Sequence, residues 1–128
     1  MENIVNALNS IYGSVIKDIN VNMFDKEISF DLTLVDSGIK TNHKLKFINC
    51  ASFLWMEKPV INTDSYDFRN WDYYELSSID LCTINTTSKN KWLKQYPMSY
   101  NVAIEIWETA LLIQAEAIII DEKQYLIS

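Results

Sequence analysis

Glycine, proline and cysteine are scarce in this chain, with two of each in 128 residues. So little glycine and proline argues against a disordered or linker-rich chain, because such chains are usually enriched in both. Two well-separated cysteines also exclude the cysteine-dense framework of small secreted domains. With 48% hydrophobic residues, a chain of this length can bury a core without covalent staples. We therefore expect one domain over residues 1–128.

Long apolar runs are also lacking. No stretch approaches the ~20 apolar residues that cross a bilayer. The first residues, Met1 to Asn6, lack the basic region and the unbroken apolar segment of a signal peptide. The tripeptide Asn85-Thr86-Thr87 fits a glycosylation acceptor, but without a secretion signal it is interpreted as a loop. We expect a cytoplasmic protein with reduced cysteines that does not bind membranes.

Positive charge is in the minority, and it is scattered. The chain has 11 Lys and Arg against 17 Asp and Glu, a formal net charge of −6 and a pI of about 4.6. The nearest approach to a basic cluster is Lys89, Lys91 and Lys94. Nucleic-acid binding needs clustered cations that displace counterions from phosphates, so it is disfavoured. An acidic chain is better suited to a basic protein partner, although this charge is also ordinary for solubility.

Residues that could perform chemistry are few. His43 is the only histidine, and no zinc-binding or paired-cysteine motif surrounds it. Phosphate-binding loops need several glycines, and only Gly13 and Gly38 are present. Cys50 and His43 are seven positions apart on extended chain, which holds them ~20 Å apart and disfavours a catalytic dyad. The sequence predicts no catalytic residue, no metal and no cofactor, with His43 as a partly buried structural residue.

The hydrophobic periods of the first 49 residues indicate one helix and then strands. Apolar residues at helical spacing precede Gly13, a plausible C-terminal cap: Ile4, Val5, Leu8, Ile11 and Tyr12. From Val15 the period becomes two, which is typical of half-buried strands. Two predicted turns, at Asp25-Lys26 and at Asp36-Ser37-Gly38, separate three alternating runs of residues. The runs are Ile19, Val21 and Met23; Ile28, Phe30, Leu32 and Leu34; and His43, Leu45 and Phe47. These runs predict an antiparallel meander over residues 15–49.

The rest of the chain also favours strands. Residues 51–56 fit either a strand or one helical turn. Residues 74–84 fit a strand with a bulge at Ser77-Ser78 and with four residues inward: Leu76, Ile79, Leu81 and Thr83. Residues 101–120 fit two strands joined near Glu108-Thr109 better than a helix, because the apolar residues alternate. The predicted fold is mainly β, an antiparallel sheet or a two-sheet β-sandwich with a short N-terminal helix.

One segment between the predicted strands interleaves aromatic with acidic residues. Its candidate partner-binding residues are Tyr66, Asp67, Phe68, Arg69, Trp71, Asp72, Tyr73 and Glu75. Tyr, Trp and Arg are enriched in binding hot spots, and carboxylates around them would steer a basic partner. The competing interpretation is that these aromatics pack over an open edge of the sheet. Trp92 and Tyr96 could extend the same surface, whereas Trp55 and Trp107 are predicted to lie in the core.

Several of these segments resemble the small YxiG-like proteins of Bacillus and its relatives. The similar segments are Ala7 to Gly13, Ile19 to Asn22, the Ile28 to Leu34 strand and Asn101 to Trp107. The resemblance implies a small cytoplasmic protein of a kind often encoded near polymorphic toxin genes, and hence toxin neutralisation. It carries no catalytic residue over to this chain.

Three functions follow as hypotheses. The first is a non-enzymatic binding protein, specifically an immunity protein that neutralises a basic toxin. The second is a small-molecule-binding β domain in which Trp55, Tyr74 or Trp107 stacks on a ligand. The third is a small hydrolase that combines His43 with a carboxylate of the middle segment: Asp64, Asp67 or Asp72. A homodimer formed through exposed strand edges is compatible with each of them.

Overall fold

The computed structural model describes residues 3–57, 73–85, 90–96 and 99–127. Within these ranges the chain forms one α-helix, a short 3-10 turn at Leu93–Gln95, and nine strands. The elements are α1 (Ile4–Asn9), β1 (Val15–Asn22), β2 (Glu27–Asp36), β3 (Ile39–Ile48), β4 (Ser52–Glu57), β5 (Tyr74–Asn85), β6 (Ser99–Ile106), β7 (Thr109–Gln114), β8 (Ala117–Ile120) and β9 (Lys123–Leu126). The prediction of a mainly β fold with a short N-terminal helix is confirmed.

The strands form one antiparallel sheet in the order β4-β7-β6-β5-β1-β2-β3-β8-β9. The predicted meander is confirmed, because β1, β2 and β3 are consecutive neighbours. The bulge predicted at the start of β5 is also present, as a register shift between Leu76 and Ser78. The pairing of β1 with β5 involves only Val15 and Ile16, so it joins two halves of the sheet through a narrow contact.

A two-stranded ribbon turns a corner and connects these halves a second time. Strand β3 continues into β4, and the antiparallel strand β7 continues into β8 beside it. At the corner the Glu116 N–H donates to the Ile48 carbonyl at 3.1 Å, and the Ala51 N–H donates to the Gln114 carbonyl at 2.8 Å. The run 111–120, expected to be a single strand, is therefore divided between the two halves.

One continuous core lies between the halves. It combines residues of β2 and β3 with residues of β6, β7 and β8, among them Phe30, Phe47, Ile104, Ile113 and Ile118. The rings of Phe30 and Phe47 meet edge to face, with centroids 6.0 Å apart. The buried face that the alternating pattern predicted for β2 and β3 is therefore confirmed.

The helix α1 is short, and it is stabilised by the residues at its ends and by packing against the core. The Asn3 side chain accepts a hydrogen bond from the Val5 N–H at 2.9 Å, which caps the first turn. After the helix Gly13 has a φ of +78°, a conformation that glycine adopts without strain. Six residues are too few for an independent helix, so burial of Leu8 and Ile11 in the core stabilises it. In the described ranges, no helix has the length and apolarity needed to cross a membrane.

Several residues predicted to face inward are exposed. Val21 pairs with the buried Ile28 and Leu81 pairs with the buried Val102, so both lie on the predicted face. Their exposed fractions are nevertheless 41% and 37%, because neither side chain is part of the buried core cluster. The predicted core position of Trp55 is also wrong: this side chain is 42% exposed on the edge strand β4.

Candidate functional site

The predicted aromatic–acidic segment is described only at its C-terminal end. Six of its candidate residues lie outside the described residues: Tyr66, Asp67, Phe68, Arg69, Trp71 and Asp72. Of the remaining two, Tyr73 directly precedes β5 and Glu75 is the second residue of that strand. Asp64, a candidate acid of the hydrolase hypothesis, also lies outside the described residues. The site is therefore built from the residues around Tyr73.

Tyr73 packs against Trp107 of the β6–β7 hairpin. The two rings meet edge to face at 5.6 Å, and the indole Nε1–H of Trp107 donates to the Tyr73 carbonyl at 2.9 Å. The Trp107 N–H donates to Ser77 Oγ at 3.2 Å. These contacts join the hairpin to the start of β5 and fix both aromatic rings. Tyr73 is nevertheless 40% exposed, so its packing leaves part of the ring in contact with solvent.

Trp107 has a backbone conformation that is rare for a bulky residue. It begins the two-residue turn between the paired residues Ile106 and Thr109, with a φ of 50°. A bulky side chain at positive φ is an outlier that costs free energy, and such outliers are concentrated at functional sites. The prediction that Trp107 lies in the core is wrong, because this hairpin turn holds the side chain half-buried at the end of the sheet.

Acidic and aromatic residues follow one another on this turn and at the start of β5, which the Tyr73–Trp107 contact brings together. We call Tyr73, Tyr74, Glu75, Trp107 and Glu108 the aromatic–acidic patch. Tyr74 is 64% exposed, and the two glutamates are half-buried. The patch combines rigid rings, hydrogen-bonding tips and two carboxylates, which suits it to recognising a basic surface. The sequence signal that could have placed Trp107 here is the predicted turn at the next residues, since a turn residue is seldom deep in a core.

A second exposed aromatic pair lies on the 3-10 turn. Trp92 is 63% exposed and Tyr96 is 51% exposed, and their ring centroids are 5.4 Å apart. Both side chains are therefore accessible to a partner. Whether they extend the same binding surface stays a prediction.

His43 has a partner that the sequence did not indicate. Asp121 Oδ2 lies 2.6 Å from His43 Nδ1, and because a carboxylate can only accept, Nδ1 carries the proton. The other nitrogen, Nε2, lies 2.8 Å from Thr41 Oγ1, within hydrogen-bond distance of that hydroxyl. Asp121 Oδ1 accepts the Lys44 N–H at 2.8 Å. We call Thr41, His43, Lys44 and Asp121 the His43–Asp121 cluster.

The cluster holds a tight turn at the point where β8 ends. Asp121 and Glu122 have φ values of 48° and 74°, as a two-residue hairpin turn of type I′ requires. Both ring nitrogens of His43 are within hydrogen-bond distance of side chains of the cluster. In the described residues, no group of three or more His, Cys, Asp or Glu side chains could hold a metal ion.

Fold and patch together define a class: a mainly β domain with a fixed aromatic–acidic surface at one end of its sheet. The family model of the YxiG-like proteins matches residues 4–125, and the chain belongs to that family. Over 119 residues it is 24% identical to the uncharacterized protein YxiG of Bacillus subtilis (strain 168). That alignment covers 88% of this chain and 83% of the Bacillus protein.

Proposed function

We propose that this chain is a non-enzymatic protein-binding domain that holds a basic partner against the aromatic–acidic patch. Its specific form is an immunity protein that neutralises a basic toxin, and it acts in the cytoplasm. The observation that carries the proposal is Trp107, which has a positive φ and fixes Tyr73 at the start of β5 by a hydrogen bond and a ring contact.

Rigid aromatic side chains favour tight binding, because little conformational entropy is lost when a partner covers them. Trp107 and Tyr73 are already held against each other in the free protein. Tyr74, the next residue in the chain after Tyr73, presents a large exposed ring with a hydroxyl that can bond to a partner. The carboxylates of Glu75 and Glu108 place part of the net charge of −6 at this end of the sheet, and negative charge accelerates encounter with a cationic protein.

The test measures binding to a basic toxin encoded beside the gene, by calorimetry and by rescue of cells that express the toxin. We expect the Tyr74→Ala change to raise the Kd at least ~10-fold, as truncation of a hot-spot residue does. Glu108→Lys should lower the association rate and reduce its dependence on salt. Glu122→Lys is the matched control, since it makes the same charge change on a distant hairpin, and it should leave the Kd within about twofold. Absence of both a complex and a rescue would end the proposal.

The second candidate, small-molecule binding, is supported by a groove beside the His43–Asp121 cluster. The groove has a volume of about 740 Å³, in the range of ligand sites, and its lining includes Lys17, Asp31, His43, Ile119 and Asp121. Its lining does not include Trp55, Tyr74 or Trp107, the three residues proposed to stack on a ligand. Ligand-observed NMR with a metabolite library tests this candidate. A compound that binds in the groove should show a binding signal with the wild-type chain and no such signal with the Lys17→Ala variant.

A further inference from the structure

The tip of the β1–β2 hairpin presents an apolar side chain almost completely to water. Phe24 is 99% exposed, and the preceding Met23 is 73% exposed. The tip is ordered by its own hydrogen bonds: the Asp25 N–H donates to Asn22 Oδ1 at 3.1 Å, and Asn22 Nδ2 donates to Asp25 Oδ2 at 2.9 Å. A fixed and fully exposed phenylalanine has the properties of an anchor residue that enters a pocket in a partner.

An apolar groove opens next to this tip, between the β1–β2 hairpin and the start of β4. It has a volume of about 440 Å³, and its apolar lining consists of Val21, Met23, Ile28, Cys50, Ala51 and Phe53. The Cys50 N–H donates to the Lys26 carbonyl at 2.8 Å, which joins the segment before β4 to the tip of the β1–β2 hairpin. The core residue Ile28 also belongs to this lining although it is only 1% exposed, so the groove borders the edge of the core.

We propose that a second copy of this chain covers this surface, with Phe24 of each copy inserted into the apolar groove of the other. In a two-fold dimer, residue i of one copy contacts residue j of its partner, and j contacts i. An exposed anchor and an apolar groove that lie side by side on one molecule satisfy both contacts at once. The inference is independent of the basic partner, because the aromatic–acidic patch shares no residue with this surface.

The available area and the charges both fit a second copy. Taking 150–250 Å² as the scale for an aromatic side chain, the exposed parts of Val21, Met23, Phe24, Phe53 and Trp55 amount to roughly 600 Å² per copy. That is close to the ~800 Å² per partner of a standard interface. The tip also carries charges of both signs, on Asp25 and Lys26, whereas the neighbouring Glu27 already lies 3.7 Å from Lys46 Nζ in the same copy. Lys26 of one copy can therefore pair with Asp25 of the other across the axis despite the acidic net charge.

Sedimentation equilibrium of the full chain, from low to high micromolar concentration, tests the proposal. We expect a monomer–dimer equilibrium whose Kd rises at least ~10-fold with Phe24→Ser. The side chain is almost fully exposed, so this change should leave the thermal unfolding midpoint of the monomer unaltered. The matched control is Ile39→Ser, which removes a 66% exposed apolar residue from the tip of the β2–β3 hairpin, and it should leave the Kd unchanged.

A complementation experiment tests the reciprocal contact itself. Ala51→Trp fills the groove while it retains the Phe24 anchor, so this variant alone should be as monomeric as Phe24→Ser. Mixing the two variants restores one anchor in one open groove, and native mass spectrometry should detect a mixed dimer more abundant than either homodimer. A wild-type chain that stays monomeric at high micromolar concentration would overturn the proposal. A dimer that forms equally well with the Phe24→Ser change would also overturn it.

Discussion

Replacing Asp121 with alanine should destabilise the protein by about 2 kcal/mol. The change removes both acceptors of the His43–Asp121 cluster, one for the His43 ring and one for the Lys44 N–H. A hydrogen bond to a charged group contributes about 1.5–3 kcal/mol. The Asp121 side chain is 47% exposed, and solvent weakens such interactions, so we assign about 1 kcal/mol to each of its two hydrogen bonds. For a chain of 128 residues this loss lowers the Tm by roughly 8 °C.

The assay is urea unfolding followed by tryptophan fluorescence, with two further variants. Glu122→Gln is the control, since it removes the same charge from the same turn, and it should change the free energy of unfolding by less than about 0.5 kcal/mol. Asp121→Asn should have an intermediate effect, because its amide oxygen still accepts the Lys44 N–H while the His43 ring changes tautomer.

A double-mutant cycle with His43→Ala isolates the contact between the two side chains. Because the His43 side chain is only 20% exposed, we expect a coupling free energy of about 1 kcal/mol. A coupling within about 0.3 kcal/mol of zero would refute the reasoning. So would an Asp121→Ala variant as stable as the wild type, since the turn would then hold without its acceptor.

Two further predictions concern single buried groups. Ser78 Oγ is buried and has no hydrogen-bond partner in the described part of the chain, so Ser78→Ala should raise the free energy of unfolding by about 1 kcal/mol, and a loss of stability in urea would contradict this. Burial raises the pKa of the Cys50 thiol from its ordinary 9.0 to about 11, with a smaller contribution from the charge of Glu27. In a Cys82→Ser variant, alkylation at pH 8 should therefore be about 100-fold slower than for an ordinary thiol, and equal rates before and after unfolding would contradict it. Because the folded state holds this proton more tightly, its contribution to stability is present below pH 9 and is lost as the pH rises towards 11.

The strands could be predicted from the sequence because alternation is a local signal. Phe30 and Phe47 were assigned to a buried face from their own neighbours, and both are fully buried. The His43–Asp121 contact could not be found in this way, since 78 positions separate the two residues and pairing is decided by the order of strands. The position of Trp107 was missed for a related reason: its apolar character favoured the core, whereas the turn geometry places it at the end of the sheet.

Alternation identifies the face on which a side chain lies, but it does not say whether another strand covers that face. Val21, Phe53 and Trp55 each pair with a buried neighbour on the core side of the sheet, yet each is more than a third exposed. They lie where the sheet ends or where β4 forms its edge, so the strand order leaves them uncovered. An apolar side chain that remains in water on a core face forgoes about 25 cal/mol for each Å² that a partner could cover. The places where the alternating pattern is right about the face and wrong about burial are therefore the places where this fold gains most from association.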